Sequence, residues 1–130
     1  MCPQTLYLLP CLGDDPLWQR HVADIASVAT DEDPGVRSTA LLALREVTKR
    51  MPDHEVEAHA PTFAMGLDDE FEFVRLAAVA SMQRLSPRSI AMYEGRLRAI
   101  ADDDAERERT RLLARHTLVR AGLAAAVEVA

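Results

Sequence analysis

The residues best suited to chemistry are His54 and Glu55, which stand side by side in the 130-residue chain. A histidine and a carboxylate can hold a metal ion or move a proton. A metal needs several ligands, however, and the chain has only one adjacent His-Glu pair. His59 follows His54 by five positions rather than the four of a zinc-protease helix, so the two histidines do not share one face. We therefore predict no metal site, no cofactor and no catalytic residue, and interpret the pair as a helix start capped by Asp53.

Arginines form a basic cluster near the C-terminal end. Arg107, Arg111 and Arg115 are four positions apart, so a helix would align them on one face that phosphates could contact. The net charge of −6 and the acids around the cluster favour a solvated or internally paired face instead. The spacing predicts the pairs Glu106–Arg109, Glu108–Arg111 and Asp103–Arg107. Nucleic-acid binding by this arginine-rich last helix is therefore kept only as the alternative function.

Three acidic clusters recur along the chain, and each precedes an apolar pattern of helical period. The clusters occupy residues 31–33, 68–70 and 102–104. Val36-Arg37 follows the first cluster, Val74-Arg75 lies 38 positions later, and Thr110-Arg111 lies 36 positions after that. Apolar residues follow each pair at offsets 4, 8 and 11 from its first residue, which is one stripe of an α-helix. The period is typical of helical repeats, and the stripe predicts that the valine of each Val-Arg pair packs in the core.

A second helical pattern precedes each acidic cluster, at residues 17–30, 55–67 and 87–101. Helix breakers lie at the joints: Asp33-Pro34-Gly35 and Pro52-Asp53 are predicted to be turns, and at Ser86-Pro87 the serine caps a helix whose first turn contains the proline. Pro61 falls inside the second pattern, where it either kinks the helix or marks its true start. These patterns predict repeats at 17–52, 53–86 and 87–123, a lead-in at 1–16 and a tail at 124–130. Within the lead-in, Thr5–Leu12 is predicted to be a partial helix that packs over the first repeat.

The repeated unit resembles the HEAT repeat of the armadillo-like helical-repeat proteins. The stretches that carry the resemblance are "DEDPGVRSTALLAL", "LDDEFEFVRLAAVASM" and "TRLLARHTL". The family's second helix opens with an acidic turn and Val-Arg, then an alanine and a leucine, and the resemblance covers roughly residues 17–121. It implies an all-α fold, an α-α superhelix in which about three antiparallel helix pairs stack into a right-handed solenoid.

The resemblance also implies that the aspartates cap the second helices and that the arginines reach neighbouring turns as a ladder. The ladder residues are Asp31, Asp33, Arg37, Asp69, Arg75, Asp104 and Arg111. An arginine in the first turn of a helix is poorly placed for the helix dipole, so a carboxylate partner explains it better. We expect Asp31 or Asp33 to pair with Arg37, and Asp69 to pair with Arg75.

We expect a non-enzymatic protein–protein interaction or scaffold module whose partner is another protein. In HEAT-like proteins the second helices usually line the concave, partner-binding side. The candidate contacts are Trp18, Arg45, Lys49, Phe71, Phe73, Gln83, Arg84 and Arg115. Trp18 is interpreted first as a packing anchor and second as a partner contact. Of Phe71 and Phe73, we expect one to be buried and the other exposed.

Both ends of the chain are apolar, with "TLYLLPCL" before the repeats and "LAAAVEVA" after them. Because end repeats need polar outer faces, this pattern predicts either a fragment of a longer solenoid or self-association through an end. Cys2 and Cys11 have no spacing typical of a metal site or a disulfide scaffold, so a reducing, cytoplasmic setting is expected. No apolar run approaches the ~18 residues of a membrane span, so no membrane is expected as a partner.

Overall fold

The chain is all-α over the part that the structure describes. The computed structural model describes the backbone of residues 16–125 and the side chains of residues 20–125. Those residues contain no strand and form eight α-helices. The helices are α1 (Pro16–Val28), α2 (Pro34–Thr48), α3 (Asp53–Glu57), α4 (Ala60–Leu67), α5 (Glu72–Ser81), α6 (Pro87–Met92), α7 (Glu94–Ala101) and α8 (Glu108–Arg120). A short 3₁₀ turn, Met82–Arg84, extends α5. The predictions for the Trp18 side chain, for Thr5–Leu12 and for residues 126–130 lie outside the described residues.

The predicted caps at two helix starts are confirmed. The Asp33 carboxylate accepts a hydrogen bond of 2.7 Å from the Gly35 N–H at the start of α2, where Pro34 opens the helix. The Ser86 hydroxyl accepts one of 3.2 Å from the Ser89 N–H, and Pro87 opens α6. Both caps satisfy N–H groups that have no acceptor within the helix.

In the second and third repeats, the helix that precedes the acidic turn is divided into two shorter helices. The predicted helix at 55–67 is interrupted between α3 and α4 because Pro61 lacks an N–H and is tolerated in the first turn of α4. Pro61 therefore marks the start of a helix. The predicted helix at 87–101 is interrupted at Tyr93, whose φ of −113° and ψ of 17° lie outside the helical range. No proline stands at this second break, so the sequence pattern carried no signal for it.

Three helix pairs pack together: α1 with α2, α4 with α5, and α7 with α8. The helix α5 also packs against both α2 and α8, so these three helices share one core. They carry Val36-Arg37, Val74-Arg75 and Thr110-Arg111, and we call them the Val-Arg helices. The predicted apolar stripe lies in that core on each of them. Its buried members are Ala40 and Leu44 on α2, Val74, Ala78, Met82 and Leu85 on and after α5, and Ala114 and Leu118 on α8.

Val36 is the exception to the predicted stripe. Its side chain is 37% exposed, whereas the equivalent Val74 is 1% exposed. Val74 is covered because α2 packs against α5, and among the described residues nothing covers α2 in the same way. The prediction that this valine packs in the core was therefore wrong for the first repeat.

Helices α2, α4 and α5 meet closely at Gly66. A Cβ atom at this position would lie 2.7 Å from the Ala78 Cβ and 2.9 Å from the Leu41 Cδ1. Both distances are shorter than ordinary van der Waals contact, so only glycine allows this approach.

None of the helices in the described part of the chain is both long and apolar enough to cross a membrane.

Candidate interaction surface

The acidic turns and the Val-Arg helices are joined by bidentate ion pairs between successive repeats. Arg37 donates from Nε to Asp69 Oδ2 at 2.7 Å and from Nη2 to Asp69 Oδ1 at 3.1 Å. Its Nη1 donates to the Asp31 and Glu32 carbonyl oxygens, each at 2.9 Å. The arginine of the first repeat therefore links its own turn to the turn of the second repeat.

The second pair repeats this geometry with a different carboxylate. Arg75 donates from Nε and Nη2 to the two Glu106 carboxylate oxygens, at 2.6 and 3.0 Å. Its Nη1 donates to the Asp69 carbonyl oxygen at 2.7 Å. The predicted pairs of Arg37 with Asp31 or Asp33, and of Arg75 with Asp69, were therefore wrong in their carboxylates. Each arginine donates hydrogen bonds only to backbone carbonyl oxygens of the turn in its own repeat. Its guanidinium also reaches the turn of the following repeat, where it pairs with a carboxylate.

The pKa values of these groups reflect the pairing. Burial raises the pKa of the Asp69 carboxyl, but hydrogen bonds from Arg37 and from the Phe71 N–H outweigh it, and the net pKa lies below the usual value. The hydrogen bond with Glu106 raises the pKa of Arg75 above its usual value. The pairing therefore favours the charged forms of Asp69 and Arg75.

The third arginine of the series is paired less well. Arg111 Nη1 lies 4.0 Å from Asp104 Oδ1, at the limit of an ion pair, and the Asp104 side chain is exposed. Arg111 Nε is buried and has no hydrogen-bond partner among the residues that the structure describes. The predicted Asp104–Arg111 association thus exists only as a long contact.

Glu72 at the start of α5 binds the start of α8. Its carboxylate accepts hydrogen bonds from Arg109 at 3.1 and 3.2 Å and from the Thr110 hydroxyl at 2.7 Å. The hydrogen bond with Arg109 is the main reason that the pKa of Glu72 lies below its usual value. The helix α8 begins at Glu108 rather than earlier, so the predicted pairs Glu106–Arg109 and Asp103–Arg107 do not form. Instead, the Arg107 Nε lies 3.9 Å from Glu72.

The remaining arginines of the last helix also contact acceptors. Arg115 lies 3.7 Å from Asp102, and Arg120 donates to the Gln83 carbonyl oxygen. The basic cluster is therefore distributed among intramolecular contacts rather than presented as one free face. This arrangement gives the nucleic-acid alternative no support from geometry.

Two of the candidate partner residues are engaged inside the fold. Arg84 donates to the Thr48 carbonyl, to the Met51 carbonyl at 3.3 Å and to Asp53 Oδ1 at 3.0 Å. Gln83 Nε2 donates to Thr117 Oγ1 at 2.5 Å, which joins α5 to α8. Both side chains are half-buried, so they link neighbouring helices and are not exposed as expected.

An exposed apolar row runs over the outer face of the Val-Arg helices instead. We call Leu42, Phe73, Leu76 and Leu112 the outer row. Leu42 of α2, Phe73 of α5 and Leu112 of α8 are 43%, 41% and 58% exposed, and Leu76 is half-buried. These positions lie off the buried stripe, at offsets 6, −1, 2 and 2 from the first residue of each pair. These positions lie on the side of each helix opposite the buried stripe, and α5 packs against both α2 and α8.

Charged candidates flank this row. Arg45 lies further along α2 than Leu42 and is half-buried. Lys49 follows the end of α2 as its C-cap residue and contacts Glu46 at 2.9 Å on the exposed surface. The sequence offered a signal for the outer row that was not used: Leu42 and Leu112 are large apolar residues outside the predicted buried stripe. Exposed apolar residues that gather into one patch mark an interaction site.

Phe71 and Phe73 are both exposed. Their ring centroids are 5.7 Å apart and the rings are tilted by 46°. The expectation that one ring is buried was wrong, because Phe71 is the N-cap residue of α5 and Phe73 lies in its first turn, before the buried Val74. Phe71 therefore adds a second exposed aromatic ring beside Phe73, the member of the outer row in the first turn of α5.

His54 lies on α3 and His59 lies between α3 and α4. The N-cap residue of α3 is Pro52, which gives no side-chain cap, and Asp53 instead binds Arg84, so the prediction of Asp53 as a cap was wrong. Burial lowers the pKa of His59, against a smaller opposing influence of Glu55. Within residues 20–125 no group of three His, Cys, Asp or Glu side chains is placed to hold a metal ion.

Comparisons of this chain with protein-family models, with curated proteins and with solved structures find no match.

Proposed function

We propose that this chain is a non-enzymatic protein-interaction module built from three HEAT-like repeats that stack as a right-handed solenoid. Two features support the repeat stack. The helix pairs recur in chain order, and the same bidentate ion pair joins repeat one to two and repeat two to three. Such nearest-neighbour contacts are what a linear helical repeat requires.

The observation that carries the interaction function is the outer row. Leu42, Phe73 and Leu112 remain exposed on three helices that bury other large apolar side chains, such as Leu44, Val74 and Leu118. Scattered exposed apolar residues need no explanation, but exposed apolar residues on the same side of neighbouring packed helices offer a surface that a protein partner can cover. The proposed setting is reducing and cytoplasmic, where Cys2 and Cys11 stay as thiols.

The test is a comparison of partner capture by three forms of the full chain. The first is the wild type, the second carries Leu42→Glu with Leu112→Glu, and the third carries Met92→Glu. Met92 lies on α6 and is highly exposed, so it serves as a matched apolar-to-acidic change away from the outer row. Proteins captured from the source cells are compared by quantitative mass spectrometry.

The proposal predicts that the same protein is captured by the wild type and by Met92→Glu and is lost from the double variant. Equal capture by all three forms would mean that the outer row is not the binding surface. Circular dichroism of each variant establishes that helix content is unchanged, which the exposure of all three side chains leads us to expect.

A further inference from the structure

A second apolar surface lies at the α1–α2 end of the molecule. An open groove of about 540 Å³ is lined mainly by Ile25, Val28, Val36, Thr39, Ala40 and Ala43. Val28 and Val36 are both exposed, and among the described residues no helix lies across them. This groove is separate from the outer row, since Leu42 lies on another face of α2.

The repeat shows what fills the equivalent groove one unit along the chain. The residues that lie 38 positions after Val28, Val36 and Ala40 are Gly66, Val74 and Ala78. The last three are buried beneath α2. Leu41 reaches this place from α2, because its Cδ1 lies 2.9 Å from where a Gly66 Cβ would stand. The Ser81 hydroxyl also donates to the Leu41 carbonyl oxygen at 3.1 Å. The groove at α1–α2 is therefore the equivalent feature, with no helix packed across it among residues 16–125.

The charges at this end correspond in the same way. Asp31 and Asp69 make matching local contacts: each carboxylate accepts from the N–H two residues later, at 2.9 and 3.0 Å. Each backbone carbonyl also accepts from the arginine of its own repeat, at 2.9 and 2.7 Å. The Asp69 carboxylate additionally binds Arg37 of the preceding helix. The Asp31 carboxylate has no such cation among the described residues, and residues 1–15 contain no lysine or arginine.

The internal interfaces define the helix that would complete this end. Arg37 is followed by buried apolar residues four and seven positions later, Leu41 and Leu44. Arg75 is followed in the same way by Val79 and Met82. In α8 the residue four positions after Arg111 is Arg115, which lies at the protein surface with a contact to Asp102. The last helix of a second copy therefore lacks the apolar side chain that the groove requires.

We infer that the α1–α2 end is a docking surface for an amphipathic helix of a partner protein, with an arginine that pairs with Asp31 and apolar residues four and seven positions later that fill the groove. This inference rests on the proposed interaction function and adds the chemistry of one partner. The partner presents the same three side chains that this chain uses between its own repeats. The site is thus an end-on interface for another helical repeat.

The test uses a synthetic peptide with the sequence of residues 33–49, which carries Arg37, Leu41 and Leu44. It is titrated into the isotope-labelled full chain, and the amide signals are followed by NMR. The expected result is a saturable shift of the signals of Ile25, Val36 and Ala43, with smaller effects on α8. A peptide with Leu41→Asp should not produce it.

Two variants of the full chain separate the charge from the apolar contact. Asp31→Asn should weaken peptide binding roughly fivefold, the value of one exposed ion pair. Val36→Glu should weaken it roughly tenfold or more, because the peptide would bury a carboxylate. Met92→Glu is the control, since Met92 is an exposed apolar residue on α6 outside both the groove and the outer row, and it should leave peptide binding unchanged. Loss of partner capture by Leu42→Glu with Leu112→Glu tests the outer row independently of this groove.

Three outcomes overturn the inference. The first is binding that is absent, or that is unaffected by both Asp31→Asn and Val36→Glu. The second is a shift in the amide NMR signals of the groove residues when Leu8 and Leu9 are replaced by aspartate. This result would mean that the chain's own N-terminal segment occupies the groove. The third is concentration-dependent self-association abolished by Val36→Glu, which would assign it to a second copy.

Discussion

Replacing Glu106 by glutamine removes the carboxylate that receives Arg75 and leaves its shape almost unchanged. The Glu106 side chain is 3% exposed and the Arg75 side chain 21%, with the two closest contacts at 2.6 and 3.0 Å. Breaking a fully buried ion pair costs about 3–5 kcal/mol, because the remaining charge stays buried. Arg75 keeps its hydrogen bond to the Asp69 carbonyl and some contact with water, so we expect about 2 kcal/mol.

This change is large enough to measure by thermal unfolding. The entropy of unfolding scales with chain length, so about 2 kcal/mol corresponds to a decrease in Tm of about 7 °C for a chain of this size. Far-UV circular dichroism follows the transition, and urea unfolding gives the free energy directly. Glu46→Gln is the control, because the Glu46–Lys49 pair is largely exposed, and its Tm should match the wild type.

A double variant tests the reason for the loss. Arg75→Met with Glu106→Leu replaces the pair by apolar side chains and leaves no unpaired charge, so its Tm should recover towards the wild type. An unchanged Tm in Glu106→Gln would refute the reasoning, as would a double variant less stable than Glu106→Gln.

Two further predictions concern close packing and acid stability. Gly66→Ala should destabilise the protein by about 1–3 kcal/mol, because the added Cβ meets Ala78 and Leu41, whereas Gly95→Ala on α7 meets nothing within 4 Å and should stabilise it by about 0.5–1 kcal/mol. Urea unfolding of both variants checks the pair, and the same sign for both would contradict it. The pKa values of Asp69 and Glu72 lie below their usual values, so these carboxylates stabilise the fold above about pH 4 and lose this effect as pH falls through their folded-state pKa values. Asp69→Asn and Glu72→Gln should therefore weaken the dependence of the unfolding free energy on pH in acid, and an unaltered dependence would contradict the assignment.

The helical period of the sequence predicted most of the core. Residues such as Leu44, Ala78 and Leu118 are buried as expected because helix geometry alone places offsets 4 and 8 on one face. Val36 is exposed because burial at offset 0 requires a helix packed against it, and only the second and third repeats have one among the described residues.

The ion pairs show where local pattern stops being informative. Spacing along the chain predicted that Arg75 pairs with Asp69 and that Arg109 pairs with Glu106. In the structure, Arg75 pairs with Glu106 and Arg109 pairs with Glu72. The choice depends on the distance between packed helices, which sequence separation does not contain. The same holds for Gln83 and Arg84, whose partners lie on neighbouring helices and turns.

The three exposed or half-exposed equivalent positions Leu42, Ala80 and His116 allow the most direct test of the repeat stack. Spin labels are attached in pairs through introduced cysteines, with Cys2 and Cys11 replaced by serine. The distances between the two labels are measured by double electron–electron resonance spectroscopy. Neighbouring packed helices lie about 8–10 Å apart, so a linear stack places α2 and α8 about 16–20 Å apart. The account predicts that the 42–116 distance is about twice the 42–80 and 80–116 distances. Three equal distances would indicate a closed bundle and contradict the account.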